Sequence, residues 1–153
     1  MANTYTQIYV HLIFAVQGRQ NLISEKYRDQ LEKYISGIVS NKKSKLLAIY
    51  CNPDHTHILI GLHPSFSISE IARDIKSNSS KWINKKKWFL GKFQWQEGFG
   101  AFTYSRSQIN AVVKYILNQR EHHKKKSFRE EYIDLLEKFN VKYNEKYLFD
   151  CYE

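Results

Sequence analysis

The sequence predicts an α+β fold: a ferredoxin-like βαββαβ antiparallel sheet with additional C-terminal helices. Three observations carry this. Period-two and helical apolar segments alternate in that order, a turn signal joins the second strand to the third, and amphipathic helical stretches follow the last strand. With 153 residues, 42% of them hydrophobic, the chain suits one domain with a core and is short for two, so 1–153 is read as a single domain.

Residues 6–16, TQIYVHLIFAV, place Ile8, Val10, Leu12, Phe14 and Val16 on one face and Tyr9, His11 and Ile13 on the other, which makes a strand. Ser24 followed by charged residues marks a helix start. Tyr27, Leu31, Tyr34, Ile35 and Ile38 then recur at helical spacing, giving a first helix over about 24–40. KLLAIYC reads as the second strand, turned through Asn52-Pro53-Asp54 into a third from His55 to His63. Ser67 caps a second helix with the stripe Ile68, Ile71, Ile75, Trp82 and Ile83, and its far end is very basic. EGFGAFTYS is a glycine-interrupted fourth strand, where missing side chains admit another backbone or a ligand. A long helix is expected from about Ser107 to Lys126. Another amphipathic helix follows in SFREEYIDLLEKFN, before an aromatic tail around Tyr147 to Phe149. No repeat or linker is evident.

The formal charge of +9 accompanies 11 Tyr, 9 Phe and 3 Trp. Phosphate-seeking charge beside stacking rings favours nucleic acid over an acidic protein, although a solvated basic surface over an aromatic core fits the same composition. Cys51 and Cys151 show no CxxC spacing, so they read as reduced thiols of an intracellular protein, and a metal-thiolate site is not expected. No signal peptide is recognised, and no stretch approaches the roughly 20 apolar residues of a membrane span. A cytoplasmic location with no membrane partner is the expectation.

The stretch PDHTHILI sets two imidazoles one residue apart on a strand. Thr56, Ile58, Ile60 and Leu62 share the core face, and His55, His57, Leu59 and Gly61 share the other. Same-side neighbours on a strand stand roughly 6 to 7 Å apart, from which two imidazoles can converge on one ion. His11 on the adjacent strand is a candidate to join them. A polar sheet face accounts for the same pair.

In INAVVKYILNQREHH the core stripe is Ile109, Val112, Val113 and Ile116, while Tyr115, Gln119 and His122 share a flank. Gln119 is suited to complete a mixed nitrogen and oxygen site for Mg²⁺ or Mn²⁺, with the Tyr115 phenol beside the ion. A boundary tyrosine with its hydroxyl in water fits the spacing equally. The chemistry that joins the set is transesterification of a phosphodiester, in which a tyrosine attacks and keeps the DNA as a phosphotyrosine. Phenolate, with a pKa near 10, leaves far more readily than a serine alkoxide, so the bond energy is conserved for rejoining.

Taken together, VHLIFAVQGRQNLI, CNPDHTHILI and VVKYILNQREHH resemble the first strand and loop, the His-hydrophobic-His motif and the tyrosine helix of the HUH-type single-tyrosine transposases of small insertion sequences, including the REP-associated tyrosine transposases. The resemblance covers almost the whole chain. It implies metal binding by His55 and His57 with Gln119 as a further ligand, Tyr115 as nucleophile, and Mg²⁺ or Mn²⁺ as cofactor. It also implies hairpin-bearing single-stranded DNA as substrate, nicking that leaves a 5′-phosphotyrosine, and a homodimer, with no small-molecule substrate. The middle motif residue, usually a bulky aliphatic, is Thr56 here. Since it points at the core, a packing change is expected and the ligands are unaffected.

DNA contacts are expected from His11, Arg19, Lys81, Trp82, Lys85, Arg106 and His122, which combine cations with rings. For His122 the alternative is a helix C-terminal histidine held by the dipole. Two other functions stay open. One is a REP-associated or domesticated nickase that processes chromosomal hairpins. The other is a non-catalytic single-stranded nucleic-acid-binding module that uses the sheet as a platform.

Overall fold

Alternation along the strands decides the architecture, because the two central strands bury both of their faces. The computed structural model describes residues 4–148. In chain order they form β1 (Tyr9–Ala15), α1 (Glu25–Asn41), β2 (Lys45–Cys51), β3 (His55–Gly61), α2 (Ile68–Lys86), β4 (Gly100–Thr103), α3 (Ile109–Leu117), α4 (Gln119–His122) and α5 (Phe128–Lys138). The strands pair antiparallel in the order β2-β3-β1-β4, so the first and third are central neighbours. This is the ferredoxin-like α+β topology with added C-terminal helices.

One face of the sheet packs on α1 and α2. Val10, Leu12 and Phe14 of β1 and Ile58 and Ile60 of β3 meet Leu31, Ile35 and Val39 of α1 and Ile71, Ile75 and Ile83 of α2 there. Ser67 and Glu70 close a reciprocal capping box that starts α2, and Ser127 and Glu130 do the same for α5. Ser24 precedes α1 with no side-chain cap bond. Trp95, which no periodic segment of the sequence contains, enters this core edge-on to Phe14 and Phe93 and donates its indole N–H to Ser79 Oγ at 2.8 Å.

The opposite face carries two smaller apolar clusters. Ala48 and Leu59 pack under Ile109, Val112 and Ile116 of α3, and Ile13, Ala15 and Phe102 pack under Phe128, Tyr132 and Leu135 of α5. Between these clusters the sheet presents its histidines.

Two expectations change. The long helix from Ser107 to Lys126 is interrupted: residues 106–108 are a 3₁₀ turn, α3 stops at Leu117, and Asn118 lies outside helical geometry at φ −99°, ψ 19°. Asparagine competes with the helical backbone through its own side chain, which makes it a natural break. The chain re-forms a single helical turn and then reverses into α5. The glycine-interrupted strand does admit a neighbour, but that neighbour is the Tyr132 ring: a Cβ on Gly100 would stand 2.6 Å from its hydroxyl. The expected tail at Tyr147 to Phe149 lies partly outside the described residues. No helix among the described residues is long and apolar enough to cross a membrane.

Candidate active site

β3 aims His55 and His57 away from the α1–α2 core, and Gln119, His122 and His123, in and just after α4, meet the same cluster from the facing side. α5 then returns across the same face and inserts Glu131. That residue is 2% exposed, and His55 and His57 are 1% and 0% exposed. Polar groups this deep require partners.

Each imidazole has one nitrogen occupied behind it. His55 Nδ1 lies 2.7 Å from Asp54 Oδ1, His57 Nδ1 lies 2.8 Å from Nε2 of His11, and His123 Nδ1 donates to the Lys126 carbonyl at 2.8 Å. Such contacts fix ring orientation and leave the other nitrogen free to point inward. The three Nε2 atoms converge on Glu131 Oε1, at 3.0 Å for His57, 3.2 Å for His123 and 3.5 Å for His55. The second carboxylate oxygen, Oε2, accepts the Gln119 amide N–H at 3.0 Å and the Tyr115 hydroxyl. His122 Nε2 is 3.3 Å from that oxygen, and its ring is edge-on to Tyr115. Gln119 Oε1 accepts from Asn52 Nδ2 at 3.2 Å and lies 2.8 Å from His123 Nε2.

The electrostatics are tightly opposed. Burial pushes the Glu131 carboxyl up, but the His57 charge and the hydrogen bonds from His123, His55 and His57 outweigh it and hold the group well below the usual carboxylate range. Burial lowers His57 despite Glu131. In His55 the same burial is overcome by Asp54 and Glu131, and its pKa rises. Burial raises the Tyr115 phenol, and the charge and hydrogen bond of Glu131 raise it further against the Gln119 contact. Phenolate is disfavoured beside an anionic carboxylate.

His55, His57, His123 and Glu131 offer ligand atoms within 4.8 Å of one another, a group able to hold a metal ion. Nitrogen donors with their far sides secured, plus a buried carboxylate oxygen, are the chemistry a divalent transition ion needs. A cavity of about 350 Å³ opens beside the Tyr115 hydroxyl, lined among others by Tyr104, Gln108, Val112 and His122.

His55, His57, Tyr115, Gln119 and His122 thus meet in one place. His11, expected at a DNA surface, is fully buried behind His57; its Nε2 meets a ring nitrogen of that histidine and its Nδ1 lies 3.4 Å from the Tyr104 hydroxyl. Lys81 and Lys85 are exposed on α2, across the sheet, and half-buried Trp82 stacks on Tyr34 at 4.5 Å. Arg106 is exposed just before α3. The Arg19 side chain lies outside the described ones. Sequence reasoning missed Asn52, Asp54 and Glu131 and gave His123 no role. For Glu131 a signal existed: a charged residue sits within the buried stripe Phe128, Tyr132 and Leu135 of α5.

An antiparallel sheet bearing paired histidines next to a helix-borne tyrosine is the arrangement that the resemblance to transposases led one to expect. The family described as "Transposase IS200 like" matches residues 4–119. The chain belongs to that family. It is 23% identical over 122 residues to the ISDra2 transposase TnpA of Deinococcus radiodurans, spanning 75% of this chain and 86% of that protein. A crystal structure assigned as a transposase from Deinococcus radiodurans R1 superposes with a TM-score of 0.61 at 23% identity, covering 78% of this chain and 96% of that one. A REP-associated tyrosine transposase bound to a REP hairpin superposes with a TM-score of 0.60 at 18% identity, covering 80% and 73% respectively.

Proposed function

We propose that this chain is a DNA transposase that binds, nicks and rejoins hairpin-bearing single-stranded DNA through a 5′-phosphotyrosine on Tyr115. The observation that carries the reading is the linkage of the Tyr115 hydroxyl to both motif histidines through one buried carboxylate, all within one chain.

His55 and His57, with Gln119 as a further ligand, hold Mg²⁺ or Mn²⁺ in this reading. Bound there, such an ion would supply Lewis acidity toward a phosphate oxygen. Asp54 and His11 keep the two rings turned inward. Glu131 orients the Tyr115 hydroxyl for attack on phosphorus. The tyrosyl oxygen bonds to phosphorus as its proton passes to Glu131 Oε2, the P–O3′ bond breaks and the 3′ oxygen leaves as a hydroxyl on taking up a proton; attack by a 3′-hydroxyl later reverses both transfers.

DNA contacts are assigned to Lys81, Trp82, Lys85, Arg106, Arg19 and His122. The chain acts as one domain over 1–153, in the cytoplasm and as a homodimer. The likeness to a REP-hairpin complex favours a second reading, a nickase of chromosomal hairpins. Trapping separates enzyme from binder: labelled hairpin DNA and Mn²⁺ give a covalent adduct on a denaturing gel for wild type and none for Tyr115→Phe or His57→Ala. DNA that is bound but never trapped contradicts the reading.

A further inference from the structure

The family match ends at residue 119, yet the chain beyond it supplies His123 and Glu131 to the cluster around the motif histidines. We propose that this C-terminal segment completes the metal centre: His123 and Glu131 join His55 and His57 as ligands, the set selects Mn²⁺ over Mg²⁺, and the remaining Glu131 oxygen ties Tyr115 to the same centre. The inference rests on the metal part of the function proposed above and is independent of the DNA part.

Atoms bound about 2.1 Å from one ion stand roughly 3.0 to 3.4 Å apart at octahedral or tetrahedral angles. Glu131 Oε1 keeps 3.0, 3.2 and 3.5 Å to the three Nε2 atoms, and Nε2 of His55 and His123 face each other at 3.1 Å. Nε2 of His55 also meets the Asn52 amide nitrogen at 3.1 Å and that of His123 meets Gln119 Oε1, contacts that a cation bound by both nitrogens would replace. Gln119 Oε1, 2.8 Å from His123 Nε2, is close enough to occupy another position of a six-coordinate ion.

The fold sets the carboxylate. The Ser127 capping box starts α5, and Phe128, Tyr132 and Leu135 seat it on β1 and β4, so Glu131 is delivered between the rings and Tyr115 by packing. Three imidazoles also bear on ion choice. Mg²⁺ demands oxygen donors and keeps much of its water, while nitrogen donors favour first-row transition ions.

The test is calorimetric titration of the full chain with MnCl₂ and with MgCl₂, alongside pulsed electron paramagnetic resonance of the Mn²⁺ form to count coordinated imidazole nitrogens. Wild type is expected to bind Mn²⁺ at least about tenfold tighter than Mg²⁺ and to show three imidazoles. Glu131→Gln and His123→Ala each weaken Mn²⁺ about tenfold or more, and Glu137→Gln, exposed on α5, does not. Two imidazoles in wild type, or unchanged affinity in both variants, overturns the proposal. The nitrogen count decides even if Glu131→Gln fails to fold. Three imidazoles without DNA cleavage rejects the transposase reading alone, and cleavage with only two rejects this inference alone.

Discussion

The two faces of one sheet are built from alternate residues of the same strands, and they solve opposite problems. Toward α1 and α2, Leu12, Phe14, Ile58 and Ile60 are fully buried in an apolar cluster. Toward α3 and α5, the interleaved His11, His55 and His57 are buried just as deeply, and each needs a polar partner to be there. Burial is therefore not what distinguishes core from site in this molecule; satisfaction of polar groups is. The first face holds the sheet in register, and the second uses that rigidity to fix three rings, a carboxylate and a phenol.

Substitutions on the two faces should separate stability from chemistry. The largest effect is expected for Tyr115→Phe, which should lower single-turnover DNA cleavage by at least about 10³-fold while changing the melting temperature little. His57→Ala should cut cleavage comparably and also abolish high-affinity Mn²⁺ binding, read by calorimetry. On the apolar face, Leu12→Ala should cost about 2–5 kcal/mol in chemical denaturation and leave cleavage per folded molecule intact. Gly100→Ala forces Tyr132 from its seat and should cost about 1–3 kcal/mol, loosening α5 in hydrogen exchange before the central strands. The smallest effect belongs to the exposed cations. Lys81→Ala and Lys85→Ala should each weaken DNA binding modestly and flatten the salt dependence by about one unit of slope.

Much of this contrast is legible in the amino-acid sequence because strands advertise their faces. Period-two spacing alone separates Leu12 and Phe14 from His11 and puts His55 and His57 opposite Ile58. Helical spacing likewise groups Tyr115, Gln119 and His122. What stays hidden depends on a break and a return. Asn118 interrupts the tyrosine helix, and His123, which follows α4 beyond it, brings its Nε2 to 3.1 Å from that of His55. Glu131 comes from another helix, 74 residues from its hydrogen-bond partner His57, and no periodicity links positions that far apart. The burial of His11 is equally unreadable, since the rings against it, His57, Phe102 and Tyr104, come from distant parts of the chain. Sequence pattern gives the face of an element, whereas the partner across the gap is set by tertiary packing.

Tyr115 is proposed as the group that takes the DNA, and mapping the covalent bond puts that assignment to the test. Wild-type protein incubated with hairpin DNA and Mn²⁺ would be digested with nuclease and trypsin and its peptides weighed by mass spectrometry. A nucleotide is expected on the peptide of residues 115–120, YILNQR, and is expected to be absent when the ion is removed by chelation. A nucleotide on any other tyrosine peptide, or cleaved DNA with no adduct on any peptide, would contradict it.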